Sequence, residues 1–170
     1  MAFFNFHKDT FKHGIHPPER KDETRGLPIK QFPFSPVIIL PMAQHIGAPS
    51  QIIVREGQEV HRGQLLAKAV GYVSVPMHAP VSGTIRKIAN VPTISGKMSA
   101  GIFLEAFPFS TQEVLEGKPI DPDTATPEEI LQSIQDAGIV GLGGAAFPTH
   151  VKLKVPDGKK CDTLIINGIE

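Results

Sequence analysis

The sequence predicts a mixed α/β protein: an all-β barrel or sandwich over residues 36–106, then the start of an α/β domain over residues 126–170. Three observations predict it. From Gly47 to Gly83, glycines recur every six to twelve residues between short apolar runs, which suits strands and leaves no room for helices. Thr126-Pro127-Glu128-Glu129 is a helix-start signature placed ahead of apolar residues at helical spacing. The run Leu164-Ile165-Ile166 after Asp162 reads as a buried, parallel strand. With 170 residues, 41% of them hydrophobic and 20% charged, the chain has the material for a packed core.

Residues 1–35 are rich in Pro, His and Lys, with scattered Phe. Pro17-Pro18 forbids helix there, so an extended segment lying across another surface is expected. Phe3, Phe4 and Phe6 come without an apolar h-region or a cleavage site, which argues against a signal peptide. His13 and His16 lie three apart, but an extended chain gives them no shared face, and no metal is assigned to them. In residues 36–106, strands are expected at Val37-Ile38-Ile39-Leu40, Ile52-Ile53-Val54, Leu65-Leu66-Ala67, Val73 with Val75, and Thr84-Ile85-Arg86-Lys87-Ile88. Residues 107–139 carry seven acidic side chains against one basic, and Pro108 and Pro122 interrupt any periodicity. Residues 107–125 are therefore expected to link two domains.

The helix that follows is well signalled. Thr126 is a good N-cap, Pro127 suits the first helical position, Glu129 completes a capping box, and Glu128 favours the positive helix end. Ile130, Leu131, Ile134 and Ala137 form one apolar face, and Gly138 is a stop. Next comes Gly141-Leu142-Gly143-Gly144-Ala145-Ala146-Phe147-Pro148-Thr149-His150-Val151-Lys152. Glycines let a backbone approach a ligand closely, and exposed amides there can hold phosphate oxygens. A helix starting near Pro148 would aim its amides at the same place, with Lys152 adding a full positive charge about one turn inside. Phe147 offers a flat face for a ring system. Asn167 and Glu170 fall at and just past the end of the last strand, where open α/β sheets bind ligands. A natural domain rarely stops on that edge, so the sequence reads as cut there.

Composition excludes several functions. Seventeen basic and seventeen acidic side chains, with a pI near 7.1, argue against a nucleic-acid binder held by a basic field. One Tyr and no Trp leave little to stack bases on. The apolar runs are too short to span a bilayer. A single cysteine, Cys161, excludes a disulfide framework and a cysteine-held cluster within these residues; it is expected as a partly buried structural thiol.

The pattern V-x-x-G-x-x-V-x-x-G-x-x-L from Val54 to Leu66, with His78-Ala79-Pro80-Val81-Ser82-Gly83-Thr84-Ile85, resembles the biotinyl/lipoyl-carrier fold, a flattened barrel of two similar halves. Carriers place an acylated Lys at a hairpin tip. Here the tip falls at Gly71-Tyr72, and Lys68 comes too early, at a strand position. The resemblance therefore implies a lipoyl-like scaffold without its swinging arm.

Three further blocks complete a second resemblance: Phe11-Lys12-His13-Gly14-Ile15-His16-Pro17-Pro18, Gln44-His45-Ile46-Gly47-Ala48-Pro49, and the run from Gly138 to Thr149. With the lipoyl-like block, they resemble the N-terminal part of the RnfC subunit of the Rnf electron-transport complexes, over nearly all of the chain. That family implies a peripheral subunit on the cytoplasmic side of the bacterial inner membrane. It would work with the other subunits of an ion-translocating complex that passes electrons between ferredoxin and NAD. Its middle domain is similar to the flavoprotein subunit of complex I, which binds FMN and NADH. The resemblance implies an FMN phosphate held by Gly141, Gly143, Gly144 and Lys152, with Phe147 near the nicotinamide and Asn167 and Glu170 lining the flavin site. It also implies two four-cysteine [4Fe–4S] motifs beyond residue 170. In place of features usual in the complex I loop, this chain has Leu142 for an Arg, Ala146 for a Gly and Ile169 for an acidic residue. Two alternatives are a non-enzymatic docking module of a membrane redox complex and the related subunit of the sodium-pumping NADH:quinone reductase.

Overall fold

The computed structural model describes residues 18, 20–30 and 33–165. The N-terminal Phe and His residues, Asn167 and Glu170 lie outside the described residues. The chain divides into two compact units, residues 1–33 and 34–170. In the first, residues 22–26 run through exposed turns rather than the extended path expected there, closed by Arg25 N–H donating to the Lys21 carbonyl at 2.8 Å.

The second unit opens with seven strands: β1 (Val37–Pro41), β2 (Gln51–Ile52), β3 (Glu59–Val60), β4 (Leu65–Lys68), β5 (Met77–His78), β6 (Gly83–Pro92) and β7 (Met98–Ala106). They form a four-stranded sheet in the order β1-β7-β6-β3 and a three-stranded sheet in the order β2-β4-β5, with all pairings antiparallel. The alternation of Ile102 and Leu104 turns both inward from β7, where they meet Ile85 of β6 and Val60 of β3. Leu66 and Ala67 of the second sheet close the core with Met42, Ala79 and Val81 from the connections. Two sheets sharing one apolar interior are what the glycine-punctuated short strands predict.

Two strands differ from expectation. β2 stops at Ile52, and Val73 and Val75 lie in irregular backbone although Val75 is buried. β7 is a long strand that the sequence pattern does not foretell. It pairs with the full length of β6, from Gly83 opposite Ala106 to Pro92 opposite Met98. The hairpin turns at Gly96, whose backbone is left-handed (φ +77°).

Residues 107–125 contain no helix or strand, yet they are tied to the β unit. Gln112 is buried, accepts from the Ser82 amide at 2.6 Å, and donates to the Ser82 carbonyl at 3.2 Å. The Leu115 amide donates to the Arg62 carbonyl at 2.7 Å.

The helix α1 (Pro127–Asp136) starts as its capping box dictates. The Thr126 hydroxyl accepts from the Glu129 amide, and the Glu129 carboxylate accepts from the Thr126 amide at 2.8 Å. Gly138 follows in the left-handed conformation (φ +72°), and a side chain there would meet the Pro76 carbonyl at 2.9 Å. Ile130, Leu131 and Ile134 are half-buried; Ala137, expected on the same face, is exposed at the C-cap. Gln135 donates to the Ser74 carbonyl at 3.0 Å, so the helix is seated on the β unit. Beyond it lie β8 (Val140–Gly141), β9 (Phe147–Pro148) and the short helix α2 (Thr149–Leu153). Leu164 and Ile165 are outside any strand and exposed, against the buried strand expected there; an apolar run becomes a strand only beside a neighbour that satisfies its backbone.

Candidate functional site

The Gly-rich segment forms a tight antiparallel turn. Val140 pairs with Pro148 and Gly141 with Phe147, and the Ala146 amide donates back to the Gly141 carbonyl at 3.1 Å. Leu142, Gly143, Gly144 and Ala145 form the exposed crest. No backbone hydrogen bond among the described residues engages their four amides. A Cβ placed on Gly144 would meet nothing within 4 Å. Four adjacent exposed amides with no backbone partner are donors free to meet an anion.

Lys152 lies on α2, and its side chain reaches back to the turn. A Cβ placed on Gly141 would fall 2.6 Å from Lys152 Nζ, so the ammonium occupies the space that the missing side chain leaves. The same nitrogen lies 6.0 Å from the centre of the Phe147 ring. Of the residues singled out in the sequence, the structure brings Gly141, Phe147 and Lys152 into one cluster and exposes Gly143 and Gly144 on the adjoining crest. Asn167 and Glu170 lie outside the described residues. The expected helix near Pro148 is α2, only five residues long, so Lys152 rather than a helix dipole supplies the positive field here.

Ala146 stands in the left-handed region (φ +53°), a conformation that costs most L-residues energy and that Gly adopts freely. This is the position where the sequence carries Ala in place of an expected Gly. Its carbonyl accepts from the Ile46 amide at 3.4 Å, which joins the Gln44–Pro49 motif of the β unit to the turn. The next residue, Gly47, lets this motif pack against Val73: a Cβ on it would overlap the Val73 carbonyl, to which the Ala48 amide donates at 3.1 Å. His45 contacts the Ile46 carbonyl at 3.0 Å and the Ser50 hydroxyl at 3.3 Å. Ser50 in turn donates to the Val75 carbonyl at 2.8 Å.

Two residues to which the sequence assigns no role meet beside α2. His150, two before Lys152, is buried and its Nε2 lies 2.8 Å from the Tyr72 carbonyl. Tyr72 is the residue at the carrier-type hairpin tip. A cleft of about 580 Å³ runs beside them, between Tyr72, α1 and α2. The signal for His150 was its place between Pro148 and Lys152, which periodicity does not rank. His78 borders a neighbouring cleft; burial lowers its pKa, partly offset by the Asp136 carboxylate. Cys161 is exposed and donates to the Thr163 carbonyl, not the partly buried thiol expected, because the segment around it packs against no core. Among the described residues no group of three or more His, Cys, Asp or Glu is arranged to hold a metal. No helix among them is long and apolar enough to cross a membrane.

Residues 9–106 match the RnfC barrel sandwich hybrid domain, and residues 134–170 match the Nuo51 FMN-binding domain. The chain is 40% identical to the C subunit of the Na(+)-translocating ferredoxin:NAD(+) oxidoreductase complex of Acetobacterium woodii, over 98% of this chain and 38% of that protein. It is 39% identical to the C subunit of the proton-translocating ferredoxin:NAD(+) oxidoreductase complex of Clostridium ljungdahlii, over 95% of this chain and 35% of the relative. With the C subunit of the ion-translocating oxidoreductase complex of Haemophilus influenzae the identity is 40%, over 94% of this chain and 24% of the relative. The chain thus spans well under half the length of these relatives. The two-sheet sandwich lies within the first match and the Gly-rich turn with α2 within the second, and the chain belongs to the RnfC family of Rnf-complex subunits.

Proposed function

We propose that residues 138–152 hold the phosphate of FMN, in a peripheral subunit of an ion-translocating ferredoxin:NAD oxidoreductase complex. The observation that carries this reading is the reach of Lys152 Nζ into the space beside Gly141, next to four amides with no backbone partner among the described residues. The match of residues 134–170 to an FMN-binding domain supports it. So does membership of a family whose relatives are named as subunits of ferredoxin:NAD(+) oxidoreductase complexes.

The residues fit such a group. Gly143 and Gly144 leave the crest bare, its amides would donate to phosphate oxygens, and Lys152, in the space beside Gly141, would offset one of the two charges of the dianion. Phe147 presents an aromatic face beside them, suited to a nicotinamide or flavin ring. Asn167 and Glu170 complete the flavin side of the site in this reading. FMN, when bound, supplies the exchange between the two-electron chemistry of NAD(H) and the one-electron chemistry of iron–sulfur clusters. Two [4Fe–4S] clusters belong to residues beyond 170 in this proposal. The other subunits of the complex are its partners, on the cytoplasmic side of the inner membrane.

Lys152→Ala in the full-length protein separates this from a purely docking role. The cofactor reading expects the variant to assemble with its partner subunits and to lose roughly 90% or more of NADH-linked turnover, the scale of one lost charge-assisted contact. Co-purification of the partner subunits reads assembly, and NADH oxidation reads turnover. Unchanged turnover would leave docking as the function of this region.

A further inference from the structure

A helix of one turn does not hold its own direction in water. α2 has five residues, yet Lys152 is aimed at Gly141. Its orientation must come from what α2 rests on. His150 is 2% exposed, and its Nε2 lies 2.8 Å from the Tyr72 carbonyl. A carbonyl only accepts, so Nε2 carries the proton and the ring is held as that tautomer. The Tyr72 and His150 rings meet edge to face, with centres 5.4 Å apart and planes at 86°. Lys154, at the C-cap of α2, places its Nζ 5.3 Å from the centre of the Tyr72 ring. Gly71, left-handed at φ +75°, makes the bend that presents Tyr72. Contacts from residues two before and two after Lys152 therefore converge on a single residue of the β unit.

We propose that the Gly71–Tyr72 bend is the seat that orients Lys152, with His150 as its positioning residue. In a carrier barrel this bend would offer an amine for acylation. Here it takes a hydrogen bond from a neighbouring helix, so the β unit serves the site by aiming its cation. The proposal rests on the phosphate-binding reading of Lys152 for its purpose, but the clamp itself is testable without any ligand.

The test uses two substitutions in the full-length protein. His150→Gln keeps an amide N–H near the position of Nε2; His150→Asn shortens the side chain and withdraws it from Tyr72. Amide hydrogen exchange of peptides covering residues 141–153 is the ligand-free readout, with peptides from β6 and β7 as the folding control. The clamp predicts roughly tenfold faster exchange in His150→Asn, the scale of one buried hydrogen bond lost. It predicts exchange in His150→Gln within about threefold of the parent, and unchanged exchange in β6 and β7 in both variants. FMN titration should follow the same order, with the affinity of His150→Asn roughly tenfold weaker. Equal exchange in His150→Asn and the parent would overturn the clamp, as would His150→Gln behaving like His150→Asn. If the parent binds no FMN while the exchange pattern holds, the cofactor reading fails and the clamp stands.

Discussion

Ala146 shows how one side chain records the shape of the turn around it. It sits at φ +53°, where an L-residue is strained by about 1–2 kcal/mol, and the neighbouring turn residues include three glycines. Replacing it with Gly relieves that strain but adds about 0.4–1 kcal/mol of unfolded-state freedom. Ala146→Gly is therefore expected to raise stability by about 0.5–1 kcal/mol, read as a higher denaturant midpoint with unchanged slope. A lower midpoint would show that the methyl packs usefully. For single residues the sequence was partly legible. Gly141 and Lys152 stood at a spacing that suits an anion and Phe147 offered a ring face, and the structure places the three side by side. His150 and Tyr72 are 78 residues apart in the chain, and nothing local to either announces the contact.

Among helices and strands, α1 was readable because its start signals are local. The Thr126 hydroxyl and the Glu129 carboxylate bond each other's backbone amides within four residues. Thr126→Ala is expected to cost about 1 kcal/mol, seen as a lower midpoint and faster amide exchange in the first turn of the helix. The hydrogen bonds from Thr126 hold the Glu129 pKa below its usual value. Thr126→Ala keeps the backbone bond and removes the hydroxyl's; that share is present above the ordinary Glu range and is lost as pH falls through the depressed value, so this part of the substitution's effect should shrink in acid. β7 was hidden because Gly101 lies inside it, and glycine usually punctuates. The reason is tertiary: a Cβ there would come 2.5 Å from a Val91 methyl and 3.4 Å from the Leu40 carbonyl. Only the crowding between β1, β7 and β6 explains that glycine, and a single sequence does not display it.

In the β unit and the segments after it, the two-sheet sandwich followed the short-strand pattern because one interior serves both sheets. What the sequence hid was how the later segments lean on that sandwich. Gln112 bonds both backbone groups of Ser82, α1 reaches the Ser74 carbonyl, and α2 reaches the Tyr72 carbonyl. Acidic, Pro-interrupted residues such as 107–125 look like a free linker by composition, yet Gln112 is buried against the β unit. Gln112→Ala leaves the Ser82 amide and carbonyl without these bonds and is expected to lower stability by about 2–3 kcal/mol in denaturant unfolding. A loss below about 0.5 kcal/mol would mean that water replaces the contact at no cost.

If the turn and Lys152 together bind the phosphate of a flavin nucleotide, that phosphate must matter to affinity. Quenching of FMN fluorescence on titration with the full-length protein measures this, with riboflavin, which lacks the phosphate, as the comparison. The expected outcome is saturable quenching by FMN, at least roughly tenfold weaker binding of riboflavin, and a similar loss for FMN in Lys152→Ala. Absence of saturable FMN binding, or equal affinity for FMN and riboflavin, would refute phosphate binding at this turn.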